Sequence, residues 1–208
     1  MAEIVYTYEN PVNARDIARL AKAMEDGKVI AYPTDVNWAF GAKVTSKKGI
    51  ERLRALKPSH PKDRPFSLLF SSISQVSEYA EVDTAAYRIL KKLFPGPYTV
   101  LLPSARGLPK QIFDKRSVVG VRIPERELLS ALVEKLGVPI ITTSAPEKPD
   151  GQPFRYGYEV DAAFGHALEY VAELGGEVNV AETTVVELVE GDVVLVRQGA
   201  GAVDDLLS

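Results

Sequence analysis

The 208-residue chain is 46% hydrophobic and 25% charged, the balance of a soluble globular protein able to bury one substantial core, so a single domain is expected. It has no cysteine, which excludes disulfides, thiolate zinc sites, iron–sulfur clusters and a cysteine nucleophile, and fits a reducing, cytoplasmic setting. The formal net charge of −3 is unevenly spread: residues 43–126 carry 17 basic and 7 acidic groups, enough for a local positive face that attracts phosphate or RNA.

The opening MAEIVYTYEN has no basic region followed by an apolar stretch, and no apolar run approaches the ~20 residues of a membrane span, so neither export nor membrane insertion is expected. NARDIARLAKAMEDG sets Ile17, Leu20, Ala21 and Met24 on one stripe, with Asn13 as cap and Gly27 past the end, and predicts a helix packed on a sheet. KVIAYP and WAFGAKV read as buried strands, and SKKGIERLRAL as a helix capped by Ser46 and ending before Pro58. After the loop KPSHPKDRP, FSLLF reads as a strand, and SISQVSEYA and DTAAYRILKKLF as helices, the second stopped by Pro-Gly-Pro. YTVLLP, SVVGVRIP and VPIITTS predict strands, with the helix ERELLSALVEKLG closed by Gly137 between the last two. A Pro/Gly-rich loop then leads to a predicted helix DAAFGHAL and strands EYVAEL, TTVVELV and DVVLVRQG. Alternating strands and helices followed by clustered strands indicate an α/β fold with one mixed sheet.

Several chemistries are absent. There is no GxxxxGK[ST] loop, no GxGxxG after a strand and no GxSxG elbow, while His60 and His166 lack metal-ligand spacing. What remains is four polar interruptions of apolar strands: YPTD, VRIP, ITTSAP, and TTVV with VLVRQG. In an open α/β sheet such strand ends converge on a ligand crevice. Taken singly, Thr34 and Ser144 read more readily as turn or cap hydroxyls, and Arg122 and Arg197 as surface ion-pair partners, than as ligand groups.

In this order, YPTD followed by GA, KPSHPKDRPFSLL, FPGPYTVLL, VGVRIP, TTSAP, GG before TTVVEL, and VLVRQGAG resemble the YrdC/YciO family, which includes threonylcarbamoyl-AMP synthase. The likeness runs over residues 10–203, and the TTVV and RQGAG ending resembles the YciO branch. The resemblance implies a twisted mixed sheet with helices on its faces and a basic concave cavity. It implies a reaction in which L-threonine, bicarbonate and ATP, with Mg2+ on the triphosphate, give threonylcarbamoyl-AMP and pyrophosphate for tRNA modification, without a protein-bound metal site. Carried over, Thr34 lines the amino-acid pocket, Arg122 clamps the threonine carboxylate, Lys57 meets phosphates, and Ser144, Thr183 and Arg197 hold substrate and nucleotide. No residue takes a covalent catalytic role. Double-stranded RNA or tRNA held on the same basic face is the alternative.

This chain departs from the family pattern in three places. Lys57-Pro58-Ser59 stands where the synthases have Lys-x-Arg, leaving Arg64 or Lys62 to supply the second charge. Ser144-Ala145-Pro146 replaces Ser-x-Asn, and proline offers neither a side-chain amide nor an N–H. Val36-Asn37-Trp38-Ala39-Phe40 replaces the usual Thr-Tyr-Gly run. Weak or altered activity is expected.

Overall fold

A computed structural model describes residues 1–8, 11–61, 66–105, 117–189 and 191–203. Its strands are β1 (Glu3–Tyr6), β2 (Ile30–Pro33), β3 (Trp38–Lys43), β4 (Ser67–Leu69), β5 (Tyr98–Pro103), β6 (Val118–Arg122), β7 (Ile140–Ser144), β8 (Tyr170–Glu173), β9 (Thr184–Val189) and β10 (Asp192–Arg197). The helices are α1 (Ala14–Glu25), α2 (Lys47–Leu56), α3 (Ile73–Val76), α4 (Thr84–Leu93), α5 (Glu127–Leu136) and α6 (Gly157–Phe164). All ten strands form one mixed sheet in the order β1-β8-β2-β3-β7-β4-β6-β5-β9-β10.

Helix ends follow local chemistry. The Asn13 side chain accepts from the Arg15 N–H, Ser46 from Gly49 and Asp83 from Ala86, each satisfying an otherwise orphaned donor. Gly137 ends α5 at φ 66°, a conformation other residues seldom adopt.

Two elements depart from the sequence reading. Residues 3–6, which precede the stretch of family likeness and carry no element in that reading, pair in parallel with β8 as the strand at one edge of the sheet. The helix expected over DAAFGHAL begins four residues earlier and stops at Phe164. Its start is fixed because the Glu159 carboxylate accepts from the N–H groups of Arg155 and Tyr156 while Glu173 accepts from Gly157. Among the described residues no helix is long and apolar enough to cross a membrane.

The two faces of the sheet are covered unequally. One face buries residues of every strand from β2 to β9, from Ala31, Phe40 and Leu68 to Val100, Val121, Val171 and Val186, with Ile4 of β1 and Val193 of β10 packed at its margins. Against it lie Ile50 and Leu53 of α2, Leu90 of α4 and Val160 of α6. On the opposite face, α1 and α5 cover only Val5, Ala172, Ile30, Tyr32, Ala39, Ile140 and Leu69, which belong to β1, β8, β2, β3, β7 and β4. Strand alternation aims Gly120 and Arg122 of β6, Thr99 and Leu101 of β5, and Val185, Glu187 and Val189 of β9 to that same side. Among the described residues no helix of the α1–α5 layer packs on them, yet Thr99, Gly120 and Arg122 are buried.

Candidate functional site

β2 ends at Pro33 and the chain reverses into β3. The Thr34 hydroxyl, fully buried, closes this turn: it donates to the Asn37 carbonyl at 2.8 Å and accepts from the Val36 and Asn37 N–H groups at 3.2 and 3.1 Å. Arg122, from the end of β6, donates through Nη2 to the Thr34 hydroxyl at 3.1 Å and to the Asp35 carboxylate. Arg126 Nε donates to the Thr34 carbonyl at 3.2 Å. The turn reading of Thr34 therefore holds, and the same hydroxyl meets Arg122.

The Arg122–Asp35 pair is largely withdrawn from water, with side-chain exposures of 7% and 12%. Burial pulls the Arg122 pKa below the ordinary arginine range, opposed by the adjacent carboxylate. Nε of the same guanidinium is buried without a hydrogen-bond partner, so the arginine keeps one directed, unused donor.

Asn37 joins this turn to a second group of residues. Its amide Nδ2 donates to the Ser144 hydroxyl at 3.3 Å and to the Ala181 carbonyl at 3.2 Å. Lys57, which ends α2, reaches across to donate from Nζ to the Ser144 carbonyl at 3.0 Å. Burial lowers the Lys57 pKa, an effect Arg197 reinforces while Glu182 and Glu147 oppose it. Arg197, ending β10, donates from Nη2 to the Thr183 carbonyl at 2.9 Å and hydroxyl at 3.2 Å, and pairs with Glu182 at 3.2 Å. The hydroxyls of Thr183 and Thr99 lie 3.1 Å apart. Beyond Arg197, the Gly199 N–H donates to the Thr184 hydroxyl, which donates to the Gly201 carbonyl.

Thr34, Arg122, Ser144 and Lys57 are thus joined by hydrogen bonds through Asn37, which also holds Ala181, two residues before the separate Thr183–Arg197 group, whereas Arg64 and Lys62 lie outside the described residues. Two expectations are corrected. Arg122 is not a free clamp, because Asp35 occupies one edge of its guanidinium. Nor is the site uniformly basic: Asp35 and Glu182 pair with Arg122 and Arg197, and much of the positive charge of residues 43–126 sits on α2 and α4. Cavities of about 650 and 780 Å3 lie elsewhere, between α2 and the end of α6 and between α3 and α4, and neither is lined by a residue of the network. The site is a junction of strand ends.

Sequence reasoning missed Asn37, Glu182, Thr99 and the pairing of Asp35. Asn37 stands in the segment that departs from the family pattern, the only local signal it offers. Chemically, the junction offers cations whose carboxylate mates can be exchanged, together with hydroxyl and amide groups for orientation. The Ser144 hydroxyl meets an amide rather than a base, so positioning of anions fits the arrangement better than nucleophilic attack. Among the described residues no cluster of three His, Asp or Glu side chains could hold a metal.

Residues 22–199 match the model of the family described as Sua5_yciO_yrdC, telomere recombination. The sequence is 30% identical to YciO of Escherichia coli strain K12 over the full length of both chains, and the crystal structure of E. coli YciO superposes on it with a TM-score of 0.89. It is 28% identical to the threonylcarbamoyl-AMP synthase of Pyrococcus abyssi, over 88% of this chain and 54% of that protein. The crystal structure of P. abyssi Sua5 complexed with L-threonine superposes with a TM-score of 0.80, covering 94% of this chain and 57% of that one. The chain therefore spans little more than half of the P. abyssi protein.

Proposed function

The chain belongs to the Sua5/YciO/YrdC family, and from that premise we propose that its strand-end junction binds L-threonine and ATP and forms threonylcarbamoyl-AMP from them and bicarbonate. The observation that carries the reading is the unused Nε donor of Arg122, buried beside Thr34 in the network that also holds Ser144 and Lys57. A buried guanidinium with an unpaired N–H is poorly satisfied, and a ligand carboxylate is the group that best completes it.

In the reaction, the threonine amine bonds to the bicarbonate carbon with loss of water. A carbamate oxygen then attacks the α-phosphorus as the bond to the β-phosphate oxygen breaks and pyrophosphate leaves. Three anionic groups must be brought together, so the protein's part is charge neutralisation and alignment. Arg122 orients the amino acid through its carboxylate, and Thr34 and Asn37 hold the turn that positions Arg122. Lys57 and Arg197 face the phosphates, Arg197 exchanging Glu182 for a phosphate oxygen. Mg2+ enters with the triphosphate as part of the substrate. Pro146 leaves the nucleotide one contact short, which supports a slow reaction.

The test is incubation with ATP, L-threonine, Mg2+ and labelled bicarbonate. Labelled adenylate and pyrophosphate in equal amounts are expected, both lost with Arg122→Lys, whose ammonium cannot reproduce the planar fork. Formation of neither product by the wild-type protein overturns the reading.

A further inference from the structure

Among the described residues the sheet ends at β10, which pairs with β9 alone, and the hairpin these two make is unusually apolar where it meets solvent. Val189, Val194, Leu195 and Val196 are 46%, 47%, 38% and 53% exposed. A six-residue edge strand carrying such side chains offers unpaired backbone groups and apolar surface together, the combination that favours addition of another strand.

The register of β10 shows which strand fits. Asp192, Val193, Val194 and Leu195 oppose Val189, Leu188, Glu187 and Val186, but Arg197 opposes Val185, so Val196 is an extra residue with no counterpart. This bulge shifts the alternation of the strand. Without it, Asp192 and Arg197 are five positions apart and lie on opposite faces; with it, Asp192, Val194 and Arg197 all lie on one face, that of Val185, Glu187 and Val189. The opposite charges at the two ends of β10 are thereby brought to the same side.

We propose that β10 pairs antiparallel with β10 of a second copy of this chain, about a two-fold axis through Val194, joining two ten-stranded sheets into one. Such an axis stands perpendicular to the sheet and preserves its faces, so only residues of the same face can oppose each other. The bulged register satisfies this at every position. Asp192 faces Arg197 of the partner subunit, Val193 faces Leu195 of the partner subunit, and Val194 faces Val194 of the partner subunit, with the one ion pair made twice by symmetry. Parallel pairing in the same alignment sets like charges side by side. The seam also brings a carboxylate to the half-exposed Arg197, so association touches the margin of the junction without requiring that it be catalytic.

Sedimentation velocity across a range of protein concentrations is expected to show a monomer–dimer equilibrium. Val194→Lys, which sets two ammonium groups against each other on the axis, is expected to leave a folded monomer. Asp192→Arg is expected to weaken the dimer by about two- to thirty-fold, the effect of reversing two cross-strand charge pairs. Because the chain has no cysteine, a single one reports the axis directly. Val194→Cys is expected to yield a covalent dimer on mild oxidation, since residues opposite each other lie about 4.5–5.5 Å apart at Cα. Val193→Cys is expected not to. A wild-type protein that stays monomeric at the highest concentration overturns the proposal, as does a folded Val194→Lys variant that still dimerises or equal cross-linking of both cysteine variants. None of these readouts depends on synthase activity, so failure here and failure of the functional reading are separable.

Discussion

Asp35 and Arg122 are 87 positions apart in sequence and form a nearly buried ion pair in which the arginine also holds the Thr34 hydroxyl. Removing the carboxylate strands a guanidinium in a dry environment. Asp35→Ala is therefore expected to lower unfolding free energy by about 3–5 kcal/mol in urea denaturation. L-threonine is expected to raise the melting temperature of this variant more than that of the wild type, because the ligand carboxylate meets a guanidinium with no competitor. Equal shifts in both proteins rule out competition between Asp35 and the ligand.

Asn37 is the link between the two halves of the junction. Asn37→Ala removes the amide bonds to Ser144 and Ala181, with an expected loss of about 1–3 kcal/mol. In a nucleotide titration by calorimetry the variant is expected to bind ATP more weakly than the wild type, since Ser144 is no longer held. An unchanged affinity at reduced stability separates the scaffold role of Asn37 from any role in binding.

The depressed pKa of Lys57 sets a pH dependence whose sign is fixed. Between its folded and unfolded pKa values the unfolded lysine holds more protons than the folded one, so this residue makes stability rise with pH in that window. Below the window the charged, partly buried ammonium is a full burden. Lys57→Met is therefore expected to gain most relative to wild type at neutral pH and to lose that advantage toward the ordinary lysine range. Thermal melts of both proteins from neutral to alkaline pH check this, and parallel curves contradict it.

Gly199 owes its identity to space. A Cβ there runs into the backbone of Glu182 and Thr183, at the strand start that Arg197 grips. Gly199→Ala is expected to cost about 1–3 kcal/mol, because the clash is with main chain that cannot rotate away. It is also expected to weaken ATP binding by displacing Arg197, a change absent from Gly176→Ala, where a Cβ meets nothing.

Most of the architecture was readable because local and global signals agree. The α1 stripe, the Asn13 and Ser46 caps and the Gly137 stop need only residues within one or two turns of each other. β1 escaped because four residues with one buried side chain show no usable alternation; they become a strand only by pairing with β8, over 160 residues away. α6 was misplaced because its start rests on Lys148 and Glu173, neither close enough in sequence to be paired by inspection. The site follows the same division. Resemblance pointed to Thr34, Lys57, Arg122, Ser144, Thr183 and Arg197. Their partners Asp35, Asn37, Thr99 and Glu182 depend on which strands are neighbours, and β3 beside β7 or β5 beside β9 is decided by the packing of the whole sheet.

The two ends of the described chain leave from opposite borders of one sheet, β1 at one and β10 at the other. Tension applied between the termini is thus carried across the full width of the molecule, and its weakest seams are the outermost ladders, each held on one side only. Stretching from the C-terminus peels β10 away from β9 and draws Arg197 off Thr183 while the central strands are still intact. Partial extraction of this chain by a protein-unfolding motor from that end would dismantle the strand-end junction well before it destroyed the fold.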